Sequence, residues 1–526
     1  MSSSDKAPPG RVGLPIFNDM SLSLWRDPLG LFRKQQQRYG PVFLLRLLNK
    51  PTLCITSYTA AREALLDTSQ SLSAANAYRP FAAGLYDTDC VLLADAAPPH
   101  GHNKAAAGSG SSCAEPSPQL HALLRRAMAP VFNAEAVRGN SDVVVSASRQ
   151  ALRAAVRHLA LNADGGGSAS CDLYELLKEA ATRASLSVFL ALDSEAEQED
   201  AYRRLVAPLK DHWHGMMAAP LAVDLSFLGF KSAKSAKVVA REARQELLQE
   251  LRAALARVKV GGDDAAAGAA GAVAWPAGSC LAAVARALEG APLEADSSGE
   301  EATSAGDGGD RASSAAAEQF LLFSSALIPK AIAAVLVQLL RRLLSPTEAA
   351  LLAQLRALLS SPAAADESSG DELADASDSL LDRCILEAER LHPPFLAVRR
   401  MVRPNMQATV AGYAVDGDTP VMAVLPLANQ DEDVYGPDAA EFRPARWAVH
   451  PAPPPPLTYG HGAHACIGRH LVRIFARSFL TELLRDYDMQ PERDDADGDL
   501  DTSASKWLPV SRPREAILVQ ITRKAR

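Results

Sequence analysis

The chain has 526 residues, a net charge of -8 and an apolar fraction of 48%. That fraction can build a large core, and mild acidity without a basic stripe excludes a nucleic-acid binder. Seven scattered cysteines, with no paired spacing, exclude a disulfide scaffold and read as reduced thiols. The expected location is therefore intracellular, either cytoplasmic or peripheral to a membrane, with a plastid left open.

The first stretch, MSSSDKAPPGRVGLPIFND, has no apolar segment, so no signal peptide or transmembrane anchor is expected. Pro28 to Tyr39 reads as a short polar helix closed by Gly40. Pro41 to Leu47 and Thr52 to Thr56 read as strands around a turn, and Ser57 as the cap of a helix reaching Asp67. Residues 98–117 are of low complexity and read as an insertion. Next comes His121-Ala-Leu-Leu-Arg-Arg126. On a helix His121 and Arg125 share a face and could grip one carboxylate together; the alternative is an exposed basic turn.

Asp142 to Leu161 and Asp172 to Leu192 read as amphipathic helices joined by a loop. Trp213 to Phe230 reads as an apolar loop ahead of a charged helix, Lys231 to Val258. Its Met216, Met217, Leu221, Phe227 and Phe230 are candidates for contact with substrate or a membrane surface, with ordinary packing an equal alternative. Residues 260–318 read mostly as a second insertion, with Ser279 to Leu288 a short helix, and 361–378 as a third. The rest of 1–526 fits one catalytic domain. Phe320 to Leu340 is long enough to span a bilayer, but Pro329 and Lys330 near its centre favour a long helix inside a helical core.

Leu380 to Leu391 reads as a helix with Glu387 and Arg390 one turn apart, on its own a common surface pair. Val410 to Ala414 and Pro420 to Leu425 read as a hairpin. The run Tyr459-Gly-His-Gly-Ala-His-Ala-Cys-Ile-Gly468 then leads into a helix, Arg469 to Arg485. A thiol at Cys466 meets the positive end of that helix, which favours thiolate, the form a haem iron takes as ligand. Gly462 and Gly468 would let the backbone approach a flat macrocycle. Two other readings stand beside this: a zinc site built from His461, His464, Cys466 and His470, and a buried, inert cysteine.

Tyr459, Gly462, His464, Cys466 and Gly468 follow the pattern Phe-x-x-Gly-x-(His/Arg)-x-Cys-x-Gly, with Tyr for Phe. Together with Tyr39-Gly-Pro-Val-Phe43, the Glu387/Arg390 pair and Glu441-Phe-Arg-Pro-Ala-Arg-Trp447, they make the chain resemble the cytochrome P450 superfamily of soluble type. The resemblance implies a mainly α fold with a minor β lobe (α+β). It implies haem b with Cys466 as the iron ligand, and propionates held by His121, Arg125, His464 and Arg399 or Arg400. It implies that Glu387, Arg390 and Arg446 form a structural triad. The Tyr459 hydroxyl needs a partner near the sulfur.

The implied activity is that of a monooxygenase inserting one oxygen atom from dioxygen into a small apolar substrate such as a lipid, sterol or terpenoid. Electrons would come from NAD(P)H through a separate reductase or ferredoxin, and the protein would be a monomer with at most peripheral membrane contact. The distal helix departs from the family. Ile328 and Pro329, followed by Lys330, stand where an acid and Thr are usual. That departure implies an alternative, a peroxide-using peroxygenase or a hydroperoxide lyase/isomerase. A remote third reading is a non-catalytic haem- or zinc-binding helical protein.

Overall fold

The computed structural model describes residues 6–15, 18–82, 85–86, 90–95, 120–160, 168–192, 194–217, 233–260, 275, 279–289, 308–322, 328–361, 379–492 and 505–524. The stretches 98–117 and 362–378 lie outside these, as do Leu221, Phe227 and Phe230 and the side chains of Met216 and Met217.

The chain opens with β1 (Gly10–Arg11), α1 (Ser21–Arg26) and α2 (Pro28–Tyr39). Pro28 at the first helical position and the Asp27 carboxylate, accepting from Gly30 N at 2.9 Å, start α2, and Gly40 at φ 88° stops it. β2 (Val42–Leu47) and β3 (Lys50–Ile55) follow, then α3 (Tyr58–Leu66), β4 (Leu72–Ser73) and α4 (Ala74–Ala82). The helical part begins with α5 (Leu120–Phe132), α6 (Ala134–Gly139) and α7 (Ser141–Ala160). After β5 (Ser168–Asp172) it continues with α8 (Leu173–Leu190), α9 (Glu195–Met217) and α10 (Ala233–Val260). Next come α11 (Cys280–Leu288), α12 (Gly308–Leu322), α13 (Ile328–Leu343), α14 (Ala349–Leu359) and α15 (Leu380–Leu391). Four strands follow: β6 (Ala397–Val402), β7 (Gln407–Val410), β8 (Tyr413–Asp416) and β9 (Pro420–Val424). After α16 (Leu425–Ala428) and α17 (Glu432–Tyr435), α18 (Arg469–Asp486) leads to β10 (Tyr487–Pro491), β11 (Ser505–Lys506), β12 (Arg512–Pro513) and β13 (Leu518–Arg523).

The fold is mainly helical with a smaller sheet portion. Six strands form one sheet in the order β1-β2-β3-β9-β6-β4, so the N-terminal hairpin is completed by strands from more than 300 residues downstream. β3 runs parallel to β9, with Leu53 opposite Val421, and β9 antiparallel to β6, with Val421 opposite Arg400. The main core lies among the helices. α8 is buried nearly all round, which marks a helix at the centre of a bundle. Phe189 on α8 meets Phe320 on α12 edge-to-face at 5.0 Å between ring centres.

Several expectations are corrected. Trp213 is inside α9, a 23-residue helix, rather than in a loop, and β5 occupies part of the loop expected after α7. Within 260–318, the short helix expected over Ser279 to Leu288 does form, as α11 capped by Ser279 and packed in the core, and α12 covers the end of that range from Gly308. The hairpin is formed by β7 and β8, because Ala411 (φ 50°) and Gly412 (φ 78°) make a left-handed turn; β9 leaves it for the main sheet. The helix expected over Phe320 to Leu340 is described as α12 and α13, with 323–327 outside the described residues. Pro329 is the second residue of α13, and the residues just before it, 323–327, on which the expected kink would show, lie outside the described ones. Among the described residues no helix is long and apolar enough to cross a membrane.

Candidate functional site

Cys466 lies in a loop of two tight turns, Leu457–Tyr459 and Gly462–His464, just before α18. Its N–H donates to the Tyr459 carbonyl at 2.8 Å, and Ala465 N to the Gly462 carbonyl at 3.0 Å, so the loop closes on itself. Gly462 has φ 73°, and a Cβ there would stand 2.7 Å from the Leu65 carbonyl oxygen. The end of α3 therefore requires glycine here in its own right. A Cβ at Gly468 would meet nothing within 4 Å.

Cys54, Cys90, Cys171, Cys280 and Cys384 are buried; among the described cysteines only Cys466 is exposed. Even so, burial pushes its thiol up, against the opposing pull of the Gly468 N–H, Arg125 and Arg469. Cys466 is thus reachable by solvent yet densely surrounded by protein. The helix end alone thus does not produce the thiolate expected from the sequence; a metal cation at the sulfur would reverse the balance.

Beside the loop is a cluster of cations. Arg125 Nη1 donates to the Ala465 carbonyl at 2.6 Å. The rings of His121 and His464 lie 4.1 Å apart. Burial, then the charge of Arg125, lowers His121 to about 4; burial, His121 and Arg400 lower His464 to about 2. Arg400 is 4% exposed and donates to the neighbouring Arg399 carbonyl at 2.9 Å, but its Nη2 has no acceptor. Adjacent strand residues point to opposite faces, and Arg399 lies over the Phe81 ring at 5.1 Å, its Nε also without an acceptor. Asp95, which acts on His121 and Arg400, is engaged by Arg403 at 3.1 Å and by the N–H groups of Ala74 and Ala75, and Asp67, which also acts on Arg400, by the N–H groups of Ser71 and Leu72. Buried N–H donors without acceptors, in a positive setting, call for added anions. An iron porphyrin with two carboxylates, next to an accessible thiol, fits this donor set.

The zinc arrangement does not form. His470 Nε2 accepts from Arg469 Nε at 3.1 Å, and among the described residues no three His, Cys, Asp or Glu side chains form a metal-holding group.

Behind the loop, Glu387 is fully buried and accepts from five groups: Arg390 Nε and Nη2 at 2.9 and 2.8 Å, Arg443 N at 3.0 Å, Arg446 Nε at 3.3 Å and Trp447 Nε1 at 3.0 Å. Arg390 also holds the carbonyls of Asn429, Ala439 and Glu441. Trp447 could have been named from its place beside Arg446. A further contact, Tyr459 to Glu389, was signalled only by the hydroxyl that Tyr adds to the motif.

On α13, Ile328 is half-buried against the core and Pro329 is buried. Lys330 turns towards α9, its Nζ 4.6 Å over the Trp213 ring, and burial, then Lys178 and Arg512, lower it to about 7.

A family model described as Cytochrome P450 matches residues 8–259 and 375–516. The chain is 34% identical over 117 residues to "Cytochrome P450 monooxygenase mpaDE" of Penicillium roqueforti, a match covering 21% of this chain and 14% of that protein. It is 32% identical over 164 residues to "Cytochrome P450 302a1, mitochondrial" of Drosophila melanogaster, covering 30% and 32%. These matches span less than a third of either relative. The fold is similar to that of "Retinoic acid bound cyanobacterial CYP120A1", with a TM-score of 0.66 and 17% identity over 99% of this chain and 100% of that one. That likeness concerns the fold.

Proposed function

The chain belongs to the cytochrome P450 family, and from that premise we propose that it is a haem-thiolate monooxygenase with Cys466 as the iron ligand. The observation that carries the reading is the exposed Cys466 thiol beside buried cations whose N–H groups lack acceptors. Haem, when bound, supplies reductive activation of dioxygen and transfer of one oxygen atom. Arg400 and Arg125 supply positive charge for the propionates. His121 and His464, held neutral by burial and neighbouring cations, supply N–H donors without adding charge. Of the two strand arginines, Arg400 takes the propionate role, because its charge acts on His121 and His464 while Arg399 lies over Phe81. Glu387, Arg390 and Arg446 fix the segment leading into the Cys466 loop. The substrate is a small apolar molecule, a lipid, sterol or terpenoid. Electrons come from NAD(P)H through a separate reductase or ferredoxin.

Ile328 and Pro329 favour a second reading. Neither side chain can carry a proton, and Lys330 packs on Trp213. This suits use of a peroxide, which arrives already reduced by two electrons relative to dioxygen and so needs no delivery of electrons and protons to reach that level, as in a peroxygenase or hydroperoxide lyase/isomerase. Turnover of an apolar substrate with reductase, NAD(P)H and dioxygen, but not with peroxide alone, supports the first reading. Turnover with peroxide alone supports the second.

A further inference from the structure

Two glutamates of α15 are buried side by side in the chain but served very differently. Glu387 accepts from five groups and has two guanidiniums against it. Glu389 receives the Tyr459 hydroxyl on Oε1 at 2.5 Å and accepts no hydrogen bond on Oε2. Its ion partner is Arg473 on α18, 3.6 Å away. Asp382, which also acts on Glu389, is taken up by Arg477 at 3.1 Å. A buried carboxylate with one oxygen unserved costs stability, so packing does not account for it.

The segment entering the Cys466 loop holds Glu389 twice. Thr458 Oγ1 donates to its carbonyl at 2.6 Å, and the Tyr459 hydroxyl to its carboxylate. The Tyr459 carbonyl in turn accepts from the Cys466 N–H at 2.8 Å. One residue thus ties the carboxylate to the backbone of Cys466, and it does so through the hydroxyl that Tyr adds to the motif. The charge also reaches the sulfur: burial raises the Cys466 thiol most, and Glu389 adds to that rise against Arg125 and Arg469. Arg473 offsets it only in part. Its side chain is 23% exposed and screened by solvent, whereas that of Glu389 is 3% exposed.

We propose that Glu389 acts through Cys466 to set the reduction potential of the bound haem, its negative charge held behind the sulfur by Tyr459 and Arg473. The inference rests on the reading of Cys466 as the iron ligand. A fixed negative charge near the sulfur opposes the arrival of another electron and so lowers the potential. It also strengthens electron donation from the sulfur. Charge and hydrogen bonding just outside the ligand are the protein's means of tuning such a centre. The protein therefore needs a more strongly reducing electron donor than it would with an uncharged residue at 389.

The test is a spectroelectrochemical titration of the haem-loaded parent, Glu389→Gln, Glu389→Asp and Tyr459→Phe/Glu389→Leu, with the carbon–oxygen stretch of each reduced carbon monoxide complex. Glu389→Gln keeps the shape and an acceptor for Tyr459 but removes the charge. It raises the midpoint, moving the one-electron equilibrium about tenfold, which is about 59 mV, and raises the stretching frequency. Tyr459→Phe/Glu389→Leu replaces both partners by apolar groups, leaves no orphan, and raises the midpoint likewise. Glu389→Asp keeps the charge and stays within about threefold of the parent. A purely structural role would not move two uncharged variants of different shape together and spare Asp. The proposal is overturned if either uncharged variant moves the equilibrium by less than about threefold or lowers the midpoint, or if Asp moves it as far as Gln does. Should Glu389→Gln fail to hold haem, the double variant decides by the same criterion. A parent without a red-shifted carbon monoxide band overturns the ligand reading and this proposal with it. With that band present, an unmoved midpoint overturns this proposal alone.

Discussion

The Tyr459 hydroxyl donates to Glu389 Oε1 at 2.5 Å, joining the Cys466 loop to α15. Arg473 on α18 completes the contact, 3.6 Å from Glu389 and with its guanidinium 5.9 Å from the Tyr459 ring centre. Residues 459 and 473 flank Cys466, so the loop is gripped from both ends by one carboxylate. Glu389 is 2% exposed, and its Oε2 accepts no hydrogen bond. Tyr459→Phe therefore leaves a buried carboxylate short of a donor and should cost about 1–3 kcal/mol in denaturant unfolding. In a Glu389→Leu background the same change should cost much less, a coupling that a double-mutant cycle measures directly.

Glu387 serves two buried guanidiniums and an indole. Glu387→Ala leaves Arg390 and Arg446 without their shared anion, and the expected loss is about 3–5 kcal/mol. Soluble yield and denaturant midpoint check this. A small loss would mean that the carbonyls around Arg390 suffice.

Arg399 and Arg400 are neighbours with different environments. Arg400→Ala should speed haem transfer to an apo-globin acceptor by about tenfold or more, since it removes charged donors to a carboxylate. Arg399→Ala should change that rate by less than about threefold, within the scatter of neutral substitutions. Equal effects would move the propionate role to both.

Lys330 is lowered from 10.5 to about 7, chiefly by burial. The folded protein sheds this proton near pH 7, whereas the unfolded chain holds it until about pH 10.5. Between those values the unfolded state binds more protons, so this group makes stability rise with pH. Below pH 7 both states are charged and the burial penalty is complete. Lys330→Met should therefore stabilise the protein by about 2 kcal/mol at pH 6, part of the penalty being offset by Trp213. That gain should fade as pH rises towards 10, as denaturant midpoints at pH 6, 8 and 10 would show.

The site was legible where its chemistry is local in the chain. Cys466, His464 and Gly468 sit within one short loop, and Glu387 and Arg390 within one helical turn. Roles that depend on distant packing were not legible. The division between Arg399 and Arg400 follows from the pairing of β6 with β9, a strand that the sequence pattern pairs with Val410 to Ala414 because the left-handed turn at Ala411-Gly412 leaves no clear mark in it. Gly462 matches the motif, but the Leu65 carbonyl that also demands glycine there is brought near only by the folded chain. Glu389 was implied by the Tyr459 hydroxyl, yet helix periodicity does not say which acid on α15 faces the loop.

The most direct measurement is the absorbance of the reduced carbon monoxide complex of the parent and of Cys466→Ser. The account predicts a strongly red-shifted Soret band in the parent, from the electron-rich sulfur, and its loss in Cys466→Ser while the other bands of any retained haem persist. An unshifted band in the parent, or a red-shifted band kept by Cys466→Ser, would contradict it.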